Sequence, residues 1–262
     1  MLANNLYQWY ARLFAKPALM SFHRLLYRLA IRGMGIMNSE TDEISGEAHF
    51  VRFLKSKNPK LILDVGANEG QFAQLCLRLT EAEVISFEPH PLTFKKLLKN
   101  IQNNRWKGFE MGLGSENGEL ELFDHAGQAG SQHASFQQGV FTEVHQTAYE
   151  THRVAVKTLD SLAADFGNTH IDLLKIDVEG FELEVLKGAK QLLQNKRIRM
   201  IMFEFNSMNI ASHASYTSFE KLLEGYDLYR LMPNDFYPLQ GENFLFKEIF
   251  AFQNLLAIHR DQ

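Results

Sequence analysis

The amino-acid sequence predicts an α/β fold, in which a mostly parallel, doubly wound sheet follows an α-helical N-terminal extension. Two observations lead to this prediction. From residue 61 onward, short apolar strands alternate with amphipathic helices, and this alternation is typical of parallel strands joined by crossover helices. The first 39 residues contain no Asp or Glu and show the apolar spacing of helices. The ligand site of such a fold lies beyond the carboxyl ends of the central strands.

The periodicity of apolar residues sets the expected elements in order. Strands are expected over residues 61–65, 84–87, 108–112, 119–123, 153–157, 171–176, 198–204 and 226–231, with a last strand within 249–258. Helices are expected over residues 43–56, 71–79, 91–103, 159–166, 181–193 and 216–224. Residues 124–150 are rich in Gly, Gln, His and Ser and lack periodicity, which predicts a long loop over the site.

Length and composition set the domain organisation and exclude some classes of partner. The 262 residues fit one α/β domain, residues 57–262, preceded by a basic helical cap, residues 1–56. A net charge of −4 gives no reason to expect nucleic acid as a partner. The single cysteine, Cys76, rules out an intrachain disulfide and fits a reducing compartment, so we expect a cytoplasmic protein.

The N-terminal segment has the pattern of a basic amphipathic helix. Its apolar residues recur every three to four positions, at Phe22, Leu25, Leu26 and Leu29. Its cations are Arg12, Lys16, Arg24, Arg28 and Arg32. No uncharged run approaches the roughly 20 residues needed to span a bilayer. Three interpretations stay open: residues 1–38 pack on the domain as a cap, lie on an anionic membrane surface, or bind another chain.

A nucleoside site is indicated where the first strand enters a glycine-rich turn. This turn contains Asp64, Gly66, Ala67, Asn68 and Gly70. Eighteen residues after Gly70 the second strand ends in Glu88 and Pro89. Turn glycines allow the backbone to approach a ligand closely, and an acid at the end of the second strand accepts hydrogen bonds from ribose hydroxyls.

The position of Asp64, before the first glycine, distinguishes between two candidate cofactors. A carboxylate there would repel the pyrophosphate of a dinucleotide, whereas it would attract the sulfonium and ammonium groups of S-adenosylmethionine. The sequence also lacks the G-x-G-x-x-G motif of nicotinamide enzymes. The pattern therefore favours a methyl donor.

Two further acidic residues stand at the ends of apolar strands and should face the same crevice. Asp177 follows the strand 171–176, and Glu204 interrupts the end of the strand 198–204. A buried charge at a strand end is costly unless it is paired or used. Together with Asn206, these two carboxylates could ligate Mg²⁺ or Ca²⁺. Without a metal, Asp177 or the loop residue His133 is the candidate catalytic base.

The motifs together resemble the FkbM-type methyltransferase domain over residues 61 to about 204. The motifs that carry the resemblance are Asp64 to Gly70, Ser86 to Pro89, Gly112 to Gly114, Val156 to Asp160 and Lys175 to Glu182. The resemblance implies that residues 57–262 form a class I methyltransferase domain with a seven-strand sheet whose final strand is antiparallel. It implies methyl transfer from S-adenosylmethionine to a hydroxyl of a sugar, a glycan or a polyketide-type product. Leu113 and Gly114 are then expected to line the adenine.

Two rival classes of function remain. A nicotinamide-dependent sugar oxidoreductase commonly has a Tyr-x-x-x-Lys pair, which this sequence lacks. A non-catalytic Rossmann-like protein would use only the basic N-terminus, to bind a membrane or a partner. Such a protein would tolerate loss of the site acids, yet all four acids are present: Asp64, Glu88, Asp177 and Glu204.

Overall fold

A mixed eight-stranded sheet forms the centre of the molecule. It is seen in a computed structural model that describes residues 2–126, 134–167 and 169–261. The strands are β1 Leu61–Val65, β2 Glu83–Phe87, β3 Trp106–Phe109, β4 Gly112–Leu113, β5 Gly118–His125, β6 Tyr149–Lys157, β7 Ile171–Ile176, β8 Ile198–Phe205, β9 Tyr226–Leu231, β10 Phe236–Pro238 and β11 Gln253–His259. The large sheet has the order β10-β9-β11-β8-β7-β1-β2-β3, and a small sheet has the order β4-β6-β5.

Helices pack on the sheet or precede it. They are α1 Leu2–Phe14, α2 Met20–Gly33, α3 Asp42–Ser45, α4 Glu47–Ser56, α5 Gln71–Leu79, α6 Pro91–Asn100, α7 Glu182–Lys187, α8 Lys190–Gln194, α9 Met208–Ala211, α10 Tyr216–Leu222 and α11 Phe244–Lys247. Single 3₁₀ turns occur at Pro17–Leu19 and Asp160–Phe166, and a π-helical turn occurs at Val140–His145. In the described part of the chain, no helix is long and apolar enough to cross a membrane.

The central strands are buried on both faces, as expected for parallel strands covered by helices. Every residue of β1 and β7 is buried, and Leu63 of β1 pairs with Ile85 of β2 and Leu174 of β7. These registers bring the carboxyl ends of β1, β2 and β7 to one edge of the sheet. β11 is antiparallel to both β8 and β9. This confirms the antiparallel final strand.

Several elements match the sequence prediction residue for residue. These are β1, α5, β7 and β9. The prediction of seven strands is wrong, because the large sheet has an eighth strand, β10, which pairs with β9 at the edge. This strand has only three residues and contains Pro238, so it is too short to show the alternation of apolar and polar residues that predicts a strand.

Three predicted elements are divided in the structure. The helix expected at 43–56 breaks at Gly46, whose φ is +87° and whose missing Cβ would lie 2.6 Å from the carbonyl oxygen of Met232. The helix expected at 181–193 breaks after Lys187, where a Cβ on Gly188 would lie 2.0 Å from the Gly114 carbonyl oxygen. The strand expected at 108–112 becomes β3 and β4, which belong to different sheets. The two helix breaks each have a tertiary cause.

The predicted loop 124–150 is only partly irregular. β5 extends to His125, β6 begins at Tyr149, and the two pair antiparallel along their whole lengths. Between them lies the π-helical turn Val140–His145, with Val140 and Phe141 buried. The expectation of a structureless segment is therefore wrong for its two ends, which form a hairpin-like ladder.

The N-terminal segment consists of two parts with different environments. No residue between 5 and 30 is buried. From Ile31 onward the chain packs on the α/β domain, and Phe50, Val51 and Leu54 of α4 belong to the core beside β1. The helices α1 and α2 touch each other near their junction, where His23 Nε2 lies 2.8 Å from the Phe14 carbonyl oxygen.

Candidate functional site

A cavity opens at the carboxyl ends of β1, β2 and β7, where the fold class places its ligand. Five residues predicted from the sequence line it: Gly66, Asn68, Glu88, Pro89 and Asp177. The remaining lining residues were not predicted and are Thr93, Leu122, Ala134, Phe136, Val178 and Glu179. Several of these come from the small sheet and its loop, so the small sheet closes one side of the cavity.

Glu88 is held at the end of β2 by two backbone hydrogen bonds. Its Oε1 accepts the N–H of His90 at 2.9 Å, and its Oε2 accepts the N–H of Asn68 at 2.9 Å. The side chain is 7% exposed, and burial raises the pKa of Glu88 to about 7 against the effect of these two donors. Each oxygen retains a second lone pair, so the carboxylate can still accept hydrogen bonds from a ligand.

The glycine-rich turn is shaped by left-handed backbone at Gly66 and Asn68, with φ of +76° and +49°. The N–H groups of Gly66 and Ala67 both donate to the Phe87 carbonyl oxygen, at 2.9 and 3.1 Å. A Cβ on Gly66 would lie 1.8 Å from the carbonyl oxygen of Asp177, so only glycine fits there. Asn68 Oδ1 is buried without a hydrogen-bond partner among the described residues. It is therefore available to a ligand.

Lys175 connects two of the predicted acids. Its Nζ lies 2.9 Å from Asp177 Oδ2 and 3.8 Å from Asp64 Oδ1, and it stands 5.4 Å from the ring centroid of Phe72. Burial opposes the charged lysine, but the surrounding carboxylates outweigh burial and raise the pKa of Lys175. Asp64 is fully buried, and burial raises its pKa although Lys175 counteracts. Asp64 thus lies behind the cavity wall and faces Lys175.

Glu47 joins this group from outside the predicted domain. It is the first residue of α4. Burial raises the pKa of Glu47 to about 7, with Lys175 opposing the shift and Asp177 and Asp64 adding to it. No motif marks Glu47 in the sequence, because an acid in a first helical turn is ordinary. Only the packing of α4 against the sheet shows that it belongs to the site.

Glu204 lies near Asp177, at the end of the adjacent strand. Burial, reinforced by the negative charges of Asp177 and Glu179, raises the pKa of Glu204. Asn206 Nδ2 donates a hydrogen bond to Glu204 Oε1, and Asn206 Oδ1 accepts the N–H of Met208 at 2.7 Å. The predicted metal set of Asp177, Glu204 and Asn206 stays a prediction. In this arrangement the Lys175 ammonium already supplies a positive charge beside Asp177.

Glu182 has a structural role in the turn after β7. Its Oε1 accepts the N–H groups of Val178 and Gly180 at 3.2 and 3.0 Å, and its Oε2 accepts from Asn209 Nδ2 at 2.9 Å. Burial raises the pKa of Glu182 to about 7. These bonds fix the turn that carries Asp177 and connect it to α9.

A second polar group lies where the small sheet meets α6. Ligand atoms of His90, Asp124 and His152 lie within 4.8 Å of one another. However, His90 Nδ1 caps α6 by accepting the N–H of Leu92 at 3.2 Å. A neutral imidazole that accepts at Nδ1 carries its proton on Nε2, which lies 3.3 Å from Asp124 Oδ2. In this tautomer neither ring nitrogen of His90 has a lone pair free for a metal ion. His90 therefore suits a contact between β5 and the turn after Glu88 better than it suits metal binding.

The other predicted residues lie away from the cavity lining. Ala67 is buried in the core, and Gly70 packs on Leu97 of α6. Leu113, in β4 of the small sheet, is buried in the core, and Gly114 lies against Phe181. Neither residue lines this cavity, but Gly114 and Phe136 line an adjacent one, and the expectation that Leu113 and Gly114 line the adenine stays a prediction. The candidate base His133 lies outside the described residues.

Comparison with known proteins gives one family and several relatives. The methyltransferase FkbM domain model matches residues 64–228, more than half of the chain. The chain is 31% identical over 161 residues to the hexuronic acid methyltransferase AglP of Haloferax volcanii, covering 58% of this chain and 60% of that protein. It is 26% identical over 179 residues to the 2-O-methyltransferase NoeI of Sinorhizobium fredii, covering 65% and 72%. It is 32% identical over 160 residues to the methyltransferase sdnD of Sordaria araneosa, covering 51% and 61%.

Proposed function

Because the chain belongs to the FkbM methyltransferase family, we propose that it transfers a methyl group from S-adenosylmethionine to a hydroxyl of a sugar or glycan, with polyketide-type products as the second acceptor class. The observation that carries the proposal is Glu88, a buried carboxylate at the end of β2 with lone pairs left for a ligand. Two relatives support the sugar class, since one is named for hexuronic acid and another for 2-O-methylation.

The residues at the cavity fit the proposed cofactor. Glu88 would accept hydrogen bonds from the ribose hydroxyls, as strand-end acids do in related nucleotide sites. Asn68 Oδ1, buried without a partner among the described residues, would accept from a further ligand donor. The acids Glu47, Asp64 and Asp177 surround the single cation Lys175. Above the raised pKa values of Glu47 and Asp64 this group carries a net negative charge, which would attract a sulfonium and an ammonium group.

The bound cofactor would supply an electrophilic methyl group to the acceptor oxygen and would leave as S-adenosylhomocysteine. The protein has to hold the acceptor oxygen in line, which can supply much of the barrier reduction. The acceptor hydroxyl must also lose its proton. Asp177 faces the cavity, and the Lys175 ammonium fixes one of its oxygens. We assign Asp177 the role of base. Glu204 lies next to Asp177 but does not line the cavity, so its catalytic role stays a prediction.

Glu88→Ala is expected to weaken binding of S-adenosylmethionine and S-adenosylhomocysteine by ~1.5–3 kcal/mol, because it removes hydrogen bonds from neutral donors to a charged group. Isothermal titration calorimetry measures this loss. Glu83→Ala is the matched control, since Glu83 begins the same strand and is exposed. Equal affinity of wild type and Glu88→Ala, or binding of NAD in place of the sulfur compounds, would contradict the proposed cofactor site.

The affinity for S-adenosylhomocysteine is expected to fall as the pH is lowered from about 8 to about 6. Glu88, with a pKa of about 7, gains a proton over this range and one of its oxygens then ceases to accept. Glu47 and Glu182 have similarly raised pKa values, so the variant Glu88→Gln decides the assignment. We expect Glu88→Gln to bind more weakly and to lose most of the pH dependence. An unchanged pH dependence in this variant would assign the titration to another group.

The acceptor is identified by incubating the protein with labelled S-adenosylmethionine and sugar, glycan or polyketide extracts. The labelled product is then isolated and its methylated position determined. We expect label on an oxygen of a sugar. Label that appears only on a nitrogen or carbon atom would refute the proposed O-methylation.

A further inference from the structure

The two N-terminal helices present their apolar side chains to solvent. Residues 5–30 contain no buried residue. Trp9, Leu25 and Leu29 are 55%, 55% and 60% exposed. The large exposed apolar residues of this arm, residues 5–30, are Leu6, Tyr7, Trp9, Tyr10, Leu13, Met20, Phe22, Leu25, Leu26, Tyr27 and Leu29. So many exposed apolar side chains on two adjacent helices mark a surface that another molecule covers.

The charge of the arm indicates what covers it. Residues 1–39 contain no acid. The cations Arg12, Lys16, Arg24 and Arg28 lie on the arm itself. Arg32, just beyond it, pairs with Glu40 at 2.5 Å. Pairing of two copies through this surface would bring two sets of cations together without acids to compensate them. An anionic surface would be complementary to it.

We propose that the arm binds the surface of an anionic lipid bilayer. In α2, Phe22, Leu25, Leu26 and Leu29 recur on one side, and Arg24 and Arg28 lie on another face of the same helix. This is the pattern of a helix that lies in the membrane interface. The aromatic rings of α1 suit the same depth, because Trp and Tyr concentrate at the boundary between headgroups and acyl chains. The proposal is independent of the methyl-transfer reaction.

A second apolar element lies beside the base of the arm. In α11, Phe244, Leu245 and Phe246 are all exposed, with Leu245 at 74%. The buried side chain of Arg230 joins this element to the arm. Its Nη1 donates to the Met34 carbonyl oxygen at 3.3 Å, and its Nη2 donates to the Phe246 carbonyl oxygen at 2.7 Å. Met34 lies just beyond the arm, so α11 stands close to the base of the arm, and we include α11 in the proposed bilayer contact.

Sedimentation with lipid vesicles tests the proposal on the full-length protein. We expect binding to vesicles of phosphatidylcholine mixed with phosphatidylserine, weak binding to phosphatidylcholine alone, and loss of binding at high salt. Each cation near an anionic surface contributes roughly fivefold to binding. Arg24→Glu/Arg28→Glu should therefore reduce binding more than tenfold, and Leu25→Asp/Leu29→Asp should reduce it similarly. Leu245→Asp should cause a smaller, severalfold loss.

The control reverses two exposed cations of the α/β domain, as Lys190→Glu/Lys221→Glu. It makes the same change in net charge as the arm variant and should bind vesicles like wild type. Circular dichroism establishes that each variant is folded. Absence of binding to the anionic vesicles would overturn the proposal, as would an equal loss in the control. A dimer that Leu25→Asp/Leu29→Asp dissociates, in a protein that ignores vesicles, would show that a second copy covers the arm.

Discussion

Asp177→Asn is expected to lower kcat by about 10²- to 10⁴-fold, the range that a positioned general base contributes. The side chain lines the cavity, and Lys175 Nζ fixes its Oδ2 at 2.9 Å. Asparagine keeps the shape but cannot take a proton from the acceptor hydroxyl. Affinity for S-adenosylhomocysteine should change far less than kcat, because Glu88 makes the contacts to the ribose in our proposal. Steady-state kinetics and calorimetry on the same preparation measure the two effects separately.

Asp165→Asn is the matched control, because Asp165 is an exposed carboxylate outside the cavity. It should retain wild-type kcat. If Asp177→Asn loses affinity and kcat in equal proportion, Asp177 binds the cofactor and is not the base. Activity should also survive exhaustive chelation, since Lys175 supplies the positive charge beside Asp177. Loss of activity on chelation, with recovery on addition of Mg²⁺, would instead support the metal set of Asp177, Glu204 and Asn206.

The parts of the site that could be predicted from sequence are those encoded within a few adjacent residues. β1 and the following turn combine a buried apolar run with Gly66, whose φ of +76° needs glycine. An acidic residue directly after an apolar strand, such as Glu88 or Asp177, can be recognised in the sequence as a candidate site residue. Burying its charge is costly unless the charge is paired or has a functional role. These local patterns located the cavity and led to the family, which the domain match confirms.

The parts that could not be predicted depend on contacts between distant segments. Glu47 reaches the site because α4 packs against the strands that carry Asp64 and Lys175. Lys175 itself lies within a recognised motif, but its two contacts with acids become evident only in the folded chain. Strands β5 and β6 were expected, at 119–123 and 153–157, but their assembly into a separate small sheet with β4 was not, because β4 has only two residues. A pattern of that length has no periodicity to detect.

The approach of the glycine-rich turn to the end of β7 is the contact that brings Glu88 and Asp177 to one cavity. Gly66 meets the Asp177 backbone directly, and the N–H of Asp177 donates to the Val65 carbonyl oxygen at 3.0 Å. A side chain at residue 66 would therefore separate β1 from β7. The partner is a backbone oxygen of a residue whose N–H is bonded to β1, so it cannot move aside as a flexible side chain could.

Gly66→Ala is accordingly expected to destabilise the fold by about 3 kcal/mol or more, combining the cost of positive φ in alanine with that of overpacking. Gly241 separates these two costs, because it has the same φ of +76° but no atom within 4 Å of its Cβ position. Gly241→Ala should therefore cost only ~1 kcal/mol. Urea unfolding of both variants measures the difference. Equal losses would mean that the turn relaxes away from Asp177, and would contradict the close contact on which this prediction rests.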